Sequence, residues 1–161
     1  MYRNNMIIIP IIQTVVFALY TLYIVKKYGV LSSISESFYA LPESKGYLFT
    51  LFIWGVSLPI MLLANISALF FLAGCLLMFV GAANSYRDEG GYASKIHGAG
   101  ATGGIVMALL ALVWVKIYWP IILATIASVW IKRSKIKNIT WWVEIACFAC
   151  IELGIIWLLI R

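Results

Sequence analysis

Residues 46–83 contain no charged side chain. A helix needs about 20 apolar residues to cross roughly 30 Å of hydrocarbon, so this run is nearly two crossings long and has to double back. Backbone polar groups in hydrocarbon must be satisfied within their own segment, which makes helices the expected form of each long apolar run. The rest of the chain follows suit: of 161 residues, 64% are hydrophobic and only 11% charged, too little polar surface to coat a soluble globule. The expected fold is therefore all-α, a polytopic transmembrane helical bundle of about six helices, forming a single domain over residues 1–161 and lying in the lipid bilayer.

Charges, prolines and aromatics set the expected boundaries. Helices are predicted at approximately 6–25, 46–63, 66–84, 97–115, 117–131 and 140–160. Arg3 ahead of an apolar stretch resembles a signal peptide, but the stretch is long enough to span and runs into Lys26 and Lys27 with no small-residue cleavage site, so it counts as the first helix. Within 46–83 the reversal is expected near Ala64 and Asn65, with Asn65 capping the next helix and Pro59 loosening the end of the one before. Residues 26–45 read as a loop or surface-lying segment. Residues 86–91, charged and carrying Gly90 and Gly91, read as a turn. The predicted fifth helix is short.

The formal charge of +6 does not point to nucleic acid, because the basic residues flank apolar segments instead of forming a groove. In the six-helix topology Lys26, Lys27, Lys45, Arg87, Lys95, Lys132, Arg133, Lys135 and Lys137 fall on one side, against Arg3, Lys116 and Arg161 on the other. The positive-inside rule then makes the richer side cytoplasmic, giving a multi-pass cell-membrane protein with both termini non-cytoplasmic. Trp54, Trp114, Trp119, Trp130, Trp141, Trp142 and Trp157 fall mostly near predicted helix ends, as interfacial anchors do.

The polar inventory shares this asymmetry. Ser33, Ser35, Glu36, Ser37 and Tyr39 follow the first helix, Arg87 and Asp88 lie in the second polar turn, and His97 opens the predicted fourth helix. A candidate polar site of Ser35, Glu36, Ser37, Arg87, Asp88 and His97 would open on the cytoplasmic side; the plainer reading is wetted loops with capping serines. A single His builds no metal centre without several carboxylates, and no G-x-S-x-G elbow positions a serine nucleophile. No catalytic set, metal or cofactor is therefore assigned.

Two intramembrane acids, Glu144 and Glu152, are more informative, since a carboxyl group at lipid depth is costly and commonly faces a bundle interior or water. Glu144 is about one turn from the basic cluster at 132–137 and can snorkel toward it. Glu152 is either part of a proton or cation path, or an acid hydrogen-bonded to a Ser, Thr or Asn on another helix. Cys147 and Cys150 have C-x-x-C spacing, yet they sit with Cys75 in apolar runs and read as reduced packing residues. Gly100 and Gly104, four apart, read as a small-residue face for close helix contact and not as a phosphate loop.

The run Leu31-Ser32-Ser33-Ile34-Ser35-Glu36-Ser37-Phe38-Tyr39-Ala40-Leu41-Pro42, with Leu51-Phe52-Ile53-Trp54, Pro59, Phe79-Val80-Gly81-Ala82-Ala83 and His97-Gly98-Ala99, resembles a family of small uncharacterised polytopic membrane proteins of bacteria and their phages. The resemblance covers about the first two-thirds of the chain and implies no activity. The serine-rich loop is also distantly similar to those of DRAM/Sfk-type membrane proteins and CREST membrane hydrolases. The latter resemblance implies a Ser, an Asp and three His around a metal, of which this chain has one His.

Three readings of function follow. The first is a non-catalytic membrane protein whose cytoplasmic polar cap binds a lipid headgroup or a membrane protein partner. The second is a membrane-embedded hydrolase using Ser35 or Ser37, Glu36, Asp88 and His97, which requires these side chains to converge. The third is a small transporter or channel using Glu152, which requires a polar cavity beside that residue.

Overall fold

The computed structural model describes residues 6–83 and 91–161. The chain is an all-α bundle. In order, its helices are α1 (Ile8–Tyr28), the single-turn α2 (Ser37–Ala40), α3 (Tyr47–Met61), α4 (Ala68–Ala82), α5 (Gly91–Trp114), α6 (Trp119–Arg133) and α7 (Ile139–Ile160), with a 3-10 turn at Glu43–Lys45. Three of them, α1, α5 and α7, are long and apolar enough to cross a membrane by length and composition. Helices α3, α4 and α6 have 15 residues each, which at 1.5 Å per residue reach about 22 Å.

Two boundaries move outward from expectation for one reason. Hydropathy marks only the apolar part of a helix, whereas backbone hydrogen bonding continues past it. Helix α1 thus runs through Lys26 and Lys27, whose charges suit a helix C-terminus. Helix α5 begins at Gly91, so His97 lies well inside the helix and not at its start. The reversal after α3 falls where expected, but Ser67 caps α4, its Oγ accepting from Leu69 N–H at 3.3 Å. Asn65 is exposed two residues earlier, directing its amide toward Met6 Sδ instead.

Helix α4 packs most extensively on α5 and α3, α6 packs on α7, and α1 lies against α3. The α4–α5 contact depends on glycine: a Cβ on Gly100 would sit 2.6 Å from the Leu76 carbonyl oxygen, and one on Gly104 would sit 2.5 Å from Leu77 Cγ. Two apolar cores result. One gathers Leu63, Phe70, Leu112 and Ile155; the other gathers Ile24, Phe49, Phe52 and Trp141 beneath the loop that follows α1. Outward faces carry Leu19, Leu22, Ile126 and Trp130, the pattern of a bundle solvated by lipid.

Candidate functional site

The segment between α1 and α3 is tied down rather than loose. Its start lies along the first two turns of α7, where positions 138, 141 and 144 share a face at helical spacing. Asn138 Nδ2 donates to Val30 O at 2.7 Å, Trp141 N–H to Ser32 O at 3.2 Å, and Ile34 N–H donates to Glu144 Oε2 at 2.6 Å. Glu144 therefore turns inward to hold the loop instead of snorkelling toward the basic cluster. A backbone N–H is within its reach, and this contact spares the carboxyl group a long extension along apolar surface.

Each of the three alternating serines has a separate partner. Ser33 Oγ accepts from Glu36 N–H at 3.3 Å. Ser37, fully buried, donates from Oγ to Ile34 O at 2.6 Å and so accepts from the Tyr20 hydroxyl, also at 2.6 Å. Ser35 reaches across to α5, where its Oγ lies 2.8 Å from His97 Nε2. The other ring nitrogen, Nδ1, is 3.0 Å from Ala83 O. A carbonyl oxygen can only accept, so Nδ1 carries the proton and Nε2 is left to accept from the Ser35 hydroxyl. Buried to 6% exposure and stacked near Phe49, His97 has little freedom to leave this arrangement.

Ser35 and Glu144 mark the polar end of a partly enclosed cavity of about 90 Å³ in the middle of the bundle. Its walls are otherwise almost wholly apolar, including Phe17, Phe52, Val80, Ala101 and Phe148. Two stacked ring pairs flank it, Phe17 on Phe148 with centroids 3.6 Å apart and Tyr20 on Phe52 at 4.0 Å. Gln13, fully buried, joins the lining further along and donates from Nε2 to Val56 O at 2.8 Å.

Glu152 is 4% exposed and lies outside that lining. Thr14 Oγ1 donates to its Oε2 at 3.2 Å, while its Oε1 has no hydrogen-bond partner among the described residues. This is the plainer of the two arrangements expected of Glu152, an acid bonded to a hydroxyl on another helix. Of the expected site residues, then, Ser35 and His97 meet, and Ser37 and Glu36 stand beside them in the same loop. Arg87 and Asp88 lie outside the described residues. Among the described residues no group of three His, Cys, Asp or Glu gathers as a metal site would require. Cys75, Cys147 and Cys150 are free thiols.

Sequence reasoning passed over Gln13, Thr14, Tyr20 and Asn138. Gln13 and Thr14 did carry a signal, as an adjacent polar pair inside an otherwise apolar helix.

Fold and site together define an all-α bundle with three candidate membrane spans and an apolar interior cavity that has one polar end. No family model matches this chain, and comparison with curated proteins and with solved structures finds no match.

Proposed function

We propose that this chain is a multi-pass integral membrane protein that binds a lipid, with part of an apolar chain in the central cavity and the headgroup against the polar cap formed by residues 31–45. Orientation follows from the cations: the segments carrying Lys26, Lys27, Lys45, Lys95 and the 132–137 cluster adjoin the same end of the bundle, which supports a cytoplasmic cap and non-cytoplasmic termini. The observation that carries the reading is the cavity, apolar along its length and ending on Ser35 and Glu144. Binding sites for amphiphiles combine just such apolar walls with a few placed polar groups. Native mass spectrometry of protein released from nanodiscs tests it. Wild type is expected to retain lipid and Ala101→Leu, which fills the cavity, to lose it; equal retention by both overturns the reading.

A second reading is supported by the Ser35 to His97 hydrogen bond. In a membrane-embedded hydrolase, His97 Nε2 would take the hydroxyl proton as Ser35 Oγ attacks an ester carbonyl, and the Ala83 carbonyl would hold the ring in the required tautomer. Turnover of a radiolabelled phospholipid by wild type, lost in Ser35→Ala, Glu36→Ala and His97→Ala variants of unchanged thermal stability, would establish catalysis and displace the non-catalytic reading. Absence of turnover in wild type leaves the binding role.

A further inference from the structure

Each polar group that lines the central cavity has an acceptor to offer. Gln13 is fully buried, its Nε2 donates to Val56 O, and its Oε1 has no hydrogen-bond partner among the described residues. Ser35 gives its proton to His97 Nε2, so toward the cavity its Oγ offers lone pairs. Glu144 places a carboxyl group at the same end, with Oε2 accepting from Ile34 N–H. A buried acceptor without a donor is unfavourable and rare, and the group that relieves it has to be an O–H or N–H.

Two acceptor stations result. Ser35 and Glu144 form one. Gln13 forms the other, level with the Ile151 to Glu152 turn of α7, since its neighbour Thr14 bonds Glu152. From Glu144 to Ile151 along α7 is about 10 Å at 1.5 Å per residue, and the wall between is apolar.

Resting on the lipid-binding reading, we infer that the cavity selects an amphiphile that bears a hydrogen-bond donor on its apolar chain, a long-chain alcohol or amine, and rejects a chain ending in carboxylate or phosphate. The hydroxyl or ammonium group donates at Ser35 and Glu144, and a second donor further down the chain finds Gln13 Oε1. An anionic end group would bring acceptors to acceptors and meet the Glu144 carboxyl group. Water can satisfy isolated acceptors too, but the apolar wall between the stations offers it nothing to bind.

Equilibrium dialysis of radiolabelled decanol, decylamine, decanoate and decane against nanodisc-embedded protein tests this, with binding to Ala101→Leu subtracted as partition into lipid. Wild type is expected to bind decanol and decylamine saturably and at least tenfold more tightly than decanoate or decane. The triple variant Gln13→Leu, Ser35→Ala and Glu144→Leu, which removes every acceptor named, is expected to lose the preference over decane. Saturable binding of all four alike overturns donor selection and leaves the lipid reading standing. Preference for decanoate, or a preference that survives in the triple variant, also overturns the inference. Failure of all four to bind above the filled variant removes the lipid reading itself.

Discussion

Asn138 joins two physical effects that can be separated by mutation. It stands at the start of α7 in the left-handed region, φ 61° and ψ 48°, and its amide donates to Val30 O at 2.7 Å. An alanine there must hold the left-handed conformation without the local hydrogen bonding that lets asparagine tolerate it, costing about 1–2 kcal/mol. It also loses the amide to carbonyl bond, about 1 kcal/mol net. Asn138→Ala is therefore expected to destabilise by about 2–3 kcal/mol. Asn138→Gly removes the same bond but takes up positive φ freely, so its loss should be nearer 1 kcal/mol, with some tenths more from added freedom in the unfolded chain. Equilibrium unfolding in mixed detergent micelles with rising sodium dodecyl sulfate, followed by tryptophan fluorescence, measures both. The ordering wild type, then glycine, then alanine is the prediction. If glycine proves as damaging as alanine, the left-handed backbone contributes nothing; if neither destabilises, the tie between α7 and the loop is not holding the cap in place.

Four further outcomes follow from single residues. Gly29, at φ 80° and ψ −175°, ends α1 in a region open essentially to glycine alone, so Gly29→Ala should cost about 1–3 kcal/mol in the same unfolding assay although open space surrounds the site. Gly100→Ala would press a methyl group onto the Leu76 carbonyl oxygen, and since backbone cannot swing aside, α4 and α5 must separate at a cost of about 1–3 kcal/mol; a neutral result would mean the two helices do not approach as described. Thr14→Val leaves the Glu152 carboxyl group without its donor and should destabilise by about 1–3 kcal/mol, whereas Glu152→Gln should leave ion flux in liposomes unchanged; flux abolished by that substitution would instead favour a transport role.

The six main helices were legible because apolar runs impose their demands locally. An uncharged run such as 46–83 has to be helical and has to reverse wherever it lies in the chain. Helix ends were less legible, since α1 and α5 continue beyond their apolar stretches on hydrogen bonds that hydropathy does not register. The Ser35 and His97 pair was named among candidates, but the choice between three serines was out of reach. Ser33, Ser35 and Ser37 are alike in sequence and differ only in what the fold sets opposite each of them. The partner of Glu144 was out of reach for a related reason: the basic cluster is its neighbour along the chain, whereas Ile34 N–H becomes its neighbour only after the loop docks on α7.

Composition and charge thus determined that this is an all-α bundle and which segments are its helices, because the cost of exposing backbone or charge to an apolar surrounding is set residue by residue. Tertiary structure alone decided that a serine and the single histidine meet, that a carboxyl group faces inward, and that an apolar cavity runs from both of them toward Gln13. Those features depend on directional contacts between residues dozens of positions apart, and only the packed arrangement of helices specifies which of many equivalent partners comes within 3 Å.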